Sequence, residues 1–283
     1  MCIRDRIDSD IIICNNSHTE VVIGMLLMFC NIYRYREMLI NMVRRELRGK
    51  YKGSILGFLW TFINPLLQLV VYTIVFSNIM RMGVSNYEIF LFVALIPWMF
   101  FSTSVLSGAG SIIYNQSLVT KIYFPREILP LSVVTSNFIN MIYCSVIVLA
   151  VVLFYHMNLN LEVWFMLPVI AFIEYILVIG IVLIVSALTV YFRDLEHILG
   201  IIIMAWQFLT PVMYPESFVP SQYQAILYLN PLTPIIISFR DVLYYGKMPV
   251  VENLVYAFLW SLIIFICGFL LFGKLQKDFA EEL

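Results

Sequence analysis

The sequence predicts an all-α polytopic membrane protein, and three observations support this fold class. The 283 residues are 62% hydrophobic and 12% charged, whereas soluble domains are about 45–50% apolar and about 25% charged. The apolar residues fall in runs close to the roughly 20 residues that a helix needs to cross a bilayer. The basic residues concentrate between alternate runs, as expected where loops remain on the cytoplasmic side.

Six apolar segments are predicted to be transmembrane helices. They are Ile55–Met80, Ile89–Leu106, Leu131–Tyr155, Val163–Phe192, Ile198–Met213 and Leu254–Phe272. The fifth segment is short and includes a proline, so its outer boundary is left open. A further stretch, Ile235–Tyr245, is too short to cross and contains Arg240 and Asp241. We predict that it is re-entrant or interfacial, because irregular backbone at membrane depth needs protein or water around it.

The distribution of Lys and Arg predicts the orientation, since cytoplasmic flanks collect these residues. The residues before the first segment include Arg34, Arg36, Arg44, Arg45, Arg48, Lys50 and Lys52. Alternate loops place Lys121, Arg126, Arg193, Lys274 and Lys277 on the same side. The opposite side receives Arg81, Arg240 and Lys247. Both termini are therefore predicted to be cytoplasmic, which agrees with an even number of transmembrane helices.

Residues 1–32 are predicted to be a non-native or disordered extension. The apolar stretch Val21–Cys30 is about half the length of a membrane span. Three aspartates lie where a signal peptide would carry basic residues. Met25, Met28 and Met38 are possible native starts, and an extra membrane anchor is the alternative interpretation.

The segment Tyr33–Arg48 is predicted to be an amphipathic helix. Its apolar face consists of Tyr35, Leu39, Ile40, Met42, Val43 and Leu47. Its polar face consists of Arg34, Glu37, Asn41, Arg44, Arg45 and Arg48. Such a helix lies in the membrane interface. Two interpretations remain open: an electrostatic anchor to anionic lipid, or a lever in contact with a cytoplasmic partner.

The loop Ser111–Pro130 is longer than the two to eight residues that a simple connection needs. A second amphipathic helix is predicted within it, with apolar Ile112, Tyr114, Leu118, Val119 and Ile122 opposite polar Gln116, Ser117, Thr120 and Lys121. Pro125 is expected to end this helix and Pro130 to open the third transmembrane helix. The loop is either a docking surface for a partner or a helix that rests on lipid.

Several function classes find no support in the composition. The net charge of −1 argues against nucleic-acid binding, and the five cysteines form no C-x-x-C pair. With three histidines and no ligand cluster or acidic pair, neither a metal site nor catalytic residues are predicted. The sequence also lacks a G-x-x-x-x-G-K-[ST] phosphate loop. No cofactor is therefore predicted in this chain.

Glu174 lies alone near the middle of the fourth predicted transmembrane helix. A carboxylate at this depth costs about 2.5–3.5 kcal/mol on insertion scales. We expect it to be neutral, or to be hydrogen-bonded to an amide such as Asn137 or Asn140 in the third transmembrane helix.

Several motifs resemble one transporter family. They are RELRGKYKGSILGFLWTFINPLLQLVVYTIVFS (Arg45–Ser77), IPWMFFSTSV (Ile96–Val105), NQSLVTKIYFPREILPLS (Asn115–Ser132), VYFRDLEHIL (Val190–Leu199), TPVMYPESFVP (Thr210–Pro220) and LNPLTPIIISFRDVLY (Leu229–Tyr244). From residue 33 to residue 283 the chain resembles the type 2 ABC transporter permeases that export O-antigen, capsular polysaccharide and teichoic acid. These residues are predicted to form one permease domain.

The resemblance implies a permease in the bacterial plasma membrane that moves lipid-linked polysaccharide or teichoic acid. It would pair with a second copy of itself around a channel and bind two separate ATPase subunits, which would hold ATP and Mg. The helix Asn115–Phe124 would be the main coupling element, and the turn from Arg193 to His197 a smaller one. The residues implied in coupling are Asn115, Leu118, Lys121, Phe124, Pro125, Arg126, Arg193, Asp194 and His197.

The resemblance also implies a substrate path and an outer mouth. Aromatic rings can guide the apolar faces of sugar rings without fixing one residue in place, and the candidates beside family-like motifs are Trp60, Trp98, Phe101, Trp206 and Tyr214. Alternatively, these rings belong to an interfacial aromatic belt. The segment Pro211–Tyr245 would form two re-entrant helices at the mouth, with Pro211, Pro220, Asn230, Pro231 and Arg240.

Two rival functions are weighed against polysaccharide export. A type 2 permease for a small molecule or drug would have the same fold, and only the aromatic content and the motifs above argue against it. A membrane-embedded glycosyl- or acyltransferase is less compatible with the sequence, because no catalytic constellation is visible.

Overall fold

The computed structural model describes residues 30–50, 52–155 and 160–283, and these residues form helices and no strand. In chain order the helices are α1 (Arg36–Gly49), α2 (Gly57–Ile79), α3 (Tyr87–Ala109), α4 (Gln116–Lys121), α5 (Ile128–Phe154), α6 (Leu161–Trp164), α7 (Leu167–Tyr191), α8 (Leu195–Leu209), α9 (Ser221–Leu229), α10 (Leu232–Leu243), α11 (Val251–Leu275) and α12 (Phe279–Glu282). The predicted N-terminal extension lies outside the described residues, apart from residues 30–32.

The predicted transmembrane helices are confirmed in large part. By length and composition, α2, α3, α5, α11 and the stretch formed by α6 and α7 could cross a membrane. The fifth predicted span corresponds to α8, which has 15 residues and ends at Leu209. The helices α9 and α10 meet at 100°, so the described part of the chain has five candidate spans, or six if this bent pair counts as one.

The helix α1 confirms the predicted amphipathic segment and begins at Arg36. Val43 is buried, and α1 packs along α5. The arginines of the predicted polar face remain exposed. Ile40, which the helical period places on the apolar face, is 40% exposed. The two faces otherwise separate as the 3.6-residue period predicts.

The core forms around α3, which is buried along most of its length. The helices α5, α7 and α10 surround α3, and α11 packs closely along α7. The backbones of α7 and α11 come together at Gly180 and Gly268: a Cβ on Gly268 would lie 2.3 Å from the Gly180 carbonyl oxygen. Glycine is required at this contact because a side chain would separate the two helices.

Two helices carry wide apolar faces that the other described residues leave exposed. On α2 these residues include Leu67, Val70 and Val71, and on α8 they include Ile201 and Phe208. Such faces are compatible with lipid or with a second protein surface.

Two ends of the bundle can be distinguished by their contacts. At the end that we call the α4 end, α4 lies beside the start of α8 and the C-terminal helix α12. At the opposite end, called the Arg240 end, Tyr87 donates a hydrogen bond to the Met213 carbonyl and Tyr244 donates one to the Ser85 carbonyl. The predicted cytoplasmic loops thus share one end of the bundle.

The predicted amide partners of Glu174 are wrong. The side chain is fully buried, and neither carboxylate oxygen has a hydrogen-bond partner among the described residues. The amide of Asn137 instead accepts from Lys50 and donates to Ser107. The side-chain oxygen Oδ1 of Asn140 has no hydrogen-bond partner among the described residues.

Candidate docking surface and polar groove

The predicted coupling helix is shorter than the sequence indicates. A single turn of 3-10 helix, Ile113–Asn115, leads into α4, which has only six residues. Ile122 is already extended, with φ −128° and ψ 135°, and Tyr123 is 90% exposed. The prediction of a helix from Asn115 to Phe124 is therefore wrong at its C-terminal end, where the chain leaves the helix before Pro125.

Polar contacts fix the start of α4. The side-chain oxygen Oδ1 of Asn115 accepts a hydrogen bond from Arg45 Nη2 at 2.7 Å, and Nδ2 of the same amide donates to the backbone carbonyl of Ser111 at 2.8 Å. Leu118 and Val119 face the core, while Lys121 is exposed. The helix therefore keeps one face against the bundle and presents the other outward.

The second predicted coupling element contacts the turn that leads into α4. Arg193, Asp194 and His197 are exposed at the turn before and into α8. The Tyr114 hydroxyl donates a hydrogen bond to Glu196 in the same turn, which raises the pKa of Tyr114. The structure thus brings together two segments that are separated by about 80 residues in the sequence.

The C-terminal segment also packs at the α4 end, and the sequence did not predict this contribution. Gln116 Nε2 donates a hydrogen bond to the Leu283 carbonyl. Arg126 donates a hydrogen bond to the Gln276 carbonyl, and its guanidinium carbon lies 5.8 Å from the centre of the Phe279 ring. Gln276 Nε2 in turn donates to Glu127 at 2.9 Å. Arg126 therefore holds the C-terminal segment in place.

A cleft of about 890 Å³ opens beside α4. Its walls include Lys121, Phe124, Pro125, Arg126 and Lys277. We call the exposed residues of α4, the turn from Arg193 to His197 and this cleft the docking surface. No sequence pattern indicated the part that α12 contributes, because α12 is four residues long.

The aromatic candidates for the substrate path divide into two groups. Trp98 and Phe101 are 3% and 0% exposed, and the Phe101 ring lies 5.1 Å from Trp206. This cluster packs within the helical bundle of the chain. Trp60 donates from Nε1 to Ser54 at 3.0 Å beside an open groove, and Tyr214 donates to the Phe208 carbonyl at 2.9 Å.

Arg240 organises the Arg240 end. The residue is 3% exposed, and its guanidinium donates to the carbonyls of Val212 at 2.6 Å, Tyr214 at 3.3 Å and Phe90 at 3.4 Å. It also lies 3.6 Å from the centre of the Phe90 ring. The buried cation therefore binds the loop that follows α8 to the start of α3.

The other predicted mouth residues shape the same loop. The Asn230 amide donates to Thr210 at 2.8 Å and accepts from the Leu232 backbone at 3.0 Å. Pro231 precedes α10, Pro220 precedes α9, and Pro211 follows Thr210. The chain before α9 and the chain after α10 both contact the start of α3.

Residues 37–244 match the family described as ABC-2 type transporter. This match covers well over half of the chain. The chain belongs to the ABC-2 type transporter family. The resemblance that the sequence motifs indicated is thereby confirmed.

Individual relatives within this family have similar lengths. The chain is 36% identical over 261 residues to the O-antigen export system permease protein RfbA of Myxococcus xanthus. The aligned residues cover 92% of this chain and 100% of that protein. It is 34% identical to RfbA of Klebsiella pneumoniae, over 87% of this chain and 95% of that protein. It is 25% identical to the polysialic acid transport protein KpsM of Escherichia coli, over 82% of this chain and 91% of that protein.

A groove of about 530 Å³ lies near the α4 end, between α2, α3 and α5, and its mostly apolar lining contains several polar side chains. Its lining includes Lys50, Trp60, Asn64, Ser107, Asn137 and Asn140. Within the family's fold, this groove is a second candidate site besides the docking surface. Among the described residues, no group of three His, Cys, Asp or Glu side chains could hold a metal ion.

Proposed function

We propose that this chain is the membrane-spanning permease subunit of an ATP-driven exporter that moves lipid-linked polysaccharide across the bacterial plasma membrane. The observation that carries the proposal is the near full-length similarity to the O-antigen export permease of Myxococcus xanthus. The more distant similarity to a polysialic acid transport protein points to the same substrate class.

Deletion of the gene in its host tests the proposal. Surface polysaccharide should disappear while the lipid-linked polymer accumulates inside the cell, and a plasmid copy of the wild-type chain should restore export. Export of the polymer at the wild-type level without the gene would overturn the proposal. A deletion strain that keeps its polymer but becomes sensitive to a drug would assign the chain to small-molecule export instead.

We infer that a separate ATPase subunit binds the docking surface. The chain lacks a phosphate loop, so ATP and Mg would be held by that partner. Lys121, Arg193 and His197 are all exposed. A hydrogen bond from Tyr114 to Glu196 connects the turn before α4, which carries Lys121, with the turn that carries Arg193 and His197. Exposed polar residues at one end of a helical bundle are suited to contact a soluble domain.

A second copy of the chain is the proposed occupant of the apolar faces of α2 and α8. These faces expose large side chains such as Leu67, Val71 and Phe208. Two copies that pair through them would enclose a path between the subunits. Two copies of the ATPase subunit would then bind the two docking surfaces.

Both termini are proposed to be cytoplasmic, with α9 and α10 as a re-entrant pair at the outer side. The Lys and Arg distribution supports this orientation. In a chain whose own cysteines are replaced by serine, single cysteines at Gln222 and Lys247 should react with an impermeant thiol reagent in intact cells. A cysteine at Gln116 should be protected. The opposite labelling pattern would invert the topology.

A further inference from the structure

The groove between α2, α3 and α5 changes character along its length. Near the α4 end it is lined by Lys50, Ser107 and Asn137. Further along α3 and α5 the lining becomes apolar, with Met99 and Cys144. At 1.5 Å per residue, Asn137 and Cys144 lie about 14 and 24 Å from the start of α5.

Lys50 is the only charged residue among the described residues that line this groove. Its side chain as a whole is exposed, yet its ammonium donates a hydrogen bond to Asn137, a residue that is 3% exposed. Desolvation lowers the pKa of Lys50, and the nearby Glu46 only partly opposes this change. The Oε1 atom of Glu46 itself lies 3.4 Å from Nη2 of Arg45, so Glu46 is already paired with another cation. The groove therefore holds a cation that lacks a full counter-charge.

The neighbouring amides leave hydrogen-bonding capacity inside the groove. The side-chain oxygen Oδ1 of Asn140 is buried without a partner among the described residues, although the side chain lines the groove. Asn137 and Ser107 are already hydrogen-bonded to each other and hold the polar end in place. An amide can turn to offer its N–H groups to an anion, and the ammonium of Lys50 has donors left after binding Asn137.

We propose that this groove binds the phosphate headgroup of an amphiphile, with Lys50 on the phosphate and the apolar chain along Met99 and Cys144. Phosphate fits because charge-assisted hydrogen bonds from an ammonium are strong. An apolar chain fits because the groove continues into an apolar part of the bundle. The proposal of the site is argued from the groove and its contacts alone; the further identification of the amphiphile as the lipid carrier of the transported polymer rests on the proposed function.

Binding of a long-chain polyprenyl phosphate to the purified full chain in phosphatidylcholine nanodiscs tests this site. Lys50→Gln should weaken binding about tenfold, because one charge-assisted hydrogen bond and the charge are lost. Lys50→Arg should stay within about twofold of the wild type, since the charge is kept. Lys52→Gln is the matched control, because Lys52 is exposed and does not line the groove.

Competition experiments identify the ligand class. Phosphatidylglycerol that competes as well as the polyprenyl phosphate would uphold the site and assign it to a bulk anionic lipid. Equal binding of the neutral polyprenol, or equal competition by inorganic phosphate, would overturn the proposal. So would wild-type affinity in Lys50→Gln.

A second variant guards against a folding defect. Met99→Trp fills the apolar part of the groove and should weaken binding of the polyprenyl phosphate while Lys50 is intact. The binding assay needs no ATPase subunit and no export. Failure of the proposed binding site is therefore distinguishable from failure of the proposed transport function, because the gene deletion tests transport independently.

Discussion

The two ends of the helical bundle satisfy their polar groups in opposite ways. At the Arg240 end, one buried guanidinium holds three backbone carbonyls and an aromatic ring. At the α4 end, most polar side chains are exposed, and hydrogen bonds such as that of Tyr114 with Glu196 lie at the surface. Arg193 and His197 point outward with no ion pair to another described residue.

This difference separates a structural role from a binding role. A buried polar group that loses its partner costs about 1–3 kcal/mol, whereas an exposed pair contributes about 0–1 kcal/mol. Substitutions at the Arg240 end should therefore affect stability, and those at the α4 end should affect partner binding. The following four predictions test this contrast, beginning with the largest effect.

Arg240→Met should destabilise the chain by about 3 kcal/mol or more, because several buried carbonyls lose their donor. Thermal unfolding of the detergent-purified chain measures the effect. Lys247→Met is the control at the same end, since Lys247 is exposed. Equal melting temperatures for the two variants would show that Arg240 is not the structural centre of this end.

Gly268→Ala should destabilise the chain by about 1–3 kcal/mol, as expected for overpacking. Its new Cβ would lie 2.3 Å from the Gly180 carbonyl oxygen, so α7 and α11 must move apart. Gly273→Ala in the same helix meets no atom within 4 Å and should leave the melting temperature unchanged or higher. If Gly268→Ala also melts like the wild type, the two helices that connect the ends are not closely coupled.

Charge reversal at both Lys121 and Arg193 should weaken binding of the ATPase subunit by about 1–2 kcal/mol, since each exposed pair contributes about 0–1 kcal/mol and repulsion is added. Co-purification of the permease with the ATPase subunit measures this binding. The variant permease should still insert into the membrane normally. Lys274→Glu is the control for charge at the same end. Arg126 is unsuitable for this test because it also holds the C-terminal segment. Unchanged co-purification would exclude α4 and its neighbouring turn as the contact.

Tyr114→Phe should change stability by only roughly a few tenths of a kcal/mol, because the lost bond to Glu196 is exposed. The hydrogen bond raises the pKa of Tyr114, so its contribution is complete below about pH 10 and declines as pH rises through the raised pKa. Melting curves should be recorded from neutral pH to above pH 10. The difference in melting temperature between Tyr114→Phe and the wild type should become smaller only at the alkaline end. A large loss of stability at neutral pH would contradict the contrast between the ends.

The hydropathy of the sequence was sufficient to predict the long helices. The predicted segments Ile89–Leu106 and Leu254–Phe272 lie inside α3 and α11, and the differences are a few residues at each end. The extent of the coupling helix was not predictable, because an amphipathic period continues through Ile122 although the backbone there is extended. Helical spacing shows which residues could share a face, but it does not show where the helix ends.

The positions of individual side chains were less predictable. Aromatic residues suit a buried core, lipid or a polymer path, so composition alone could not show that Trp98 and Phe101 are buried. The carbonyl partners of Arg240 are 26 to 150 residues away in the chain. Asn137 was predicted beside Glu174, but it binds Lys50, which lies 87 residues away. These pairings depend on tertiary packing, which no local pattern encodes.

The shortness of α8 has a consequence for the bilayer. Its 15 residues extend about 22 Å, whereas the hydrocarbon core is about 30 Å thick. If α8 begins at one surface of the hydrocarbon, the loop after Thr210 must occupy the last ~8 Å, where water is scarce. Arg240 then supplies the donors that water would give elsewhere. Local thinning of the membrane around this loop would reduce the mismatch, so thicker bilayers should strain this part of the protein first.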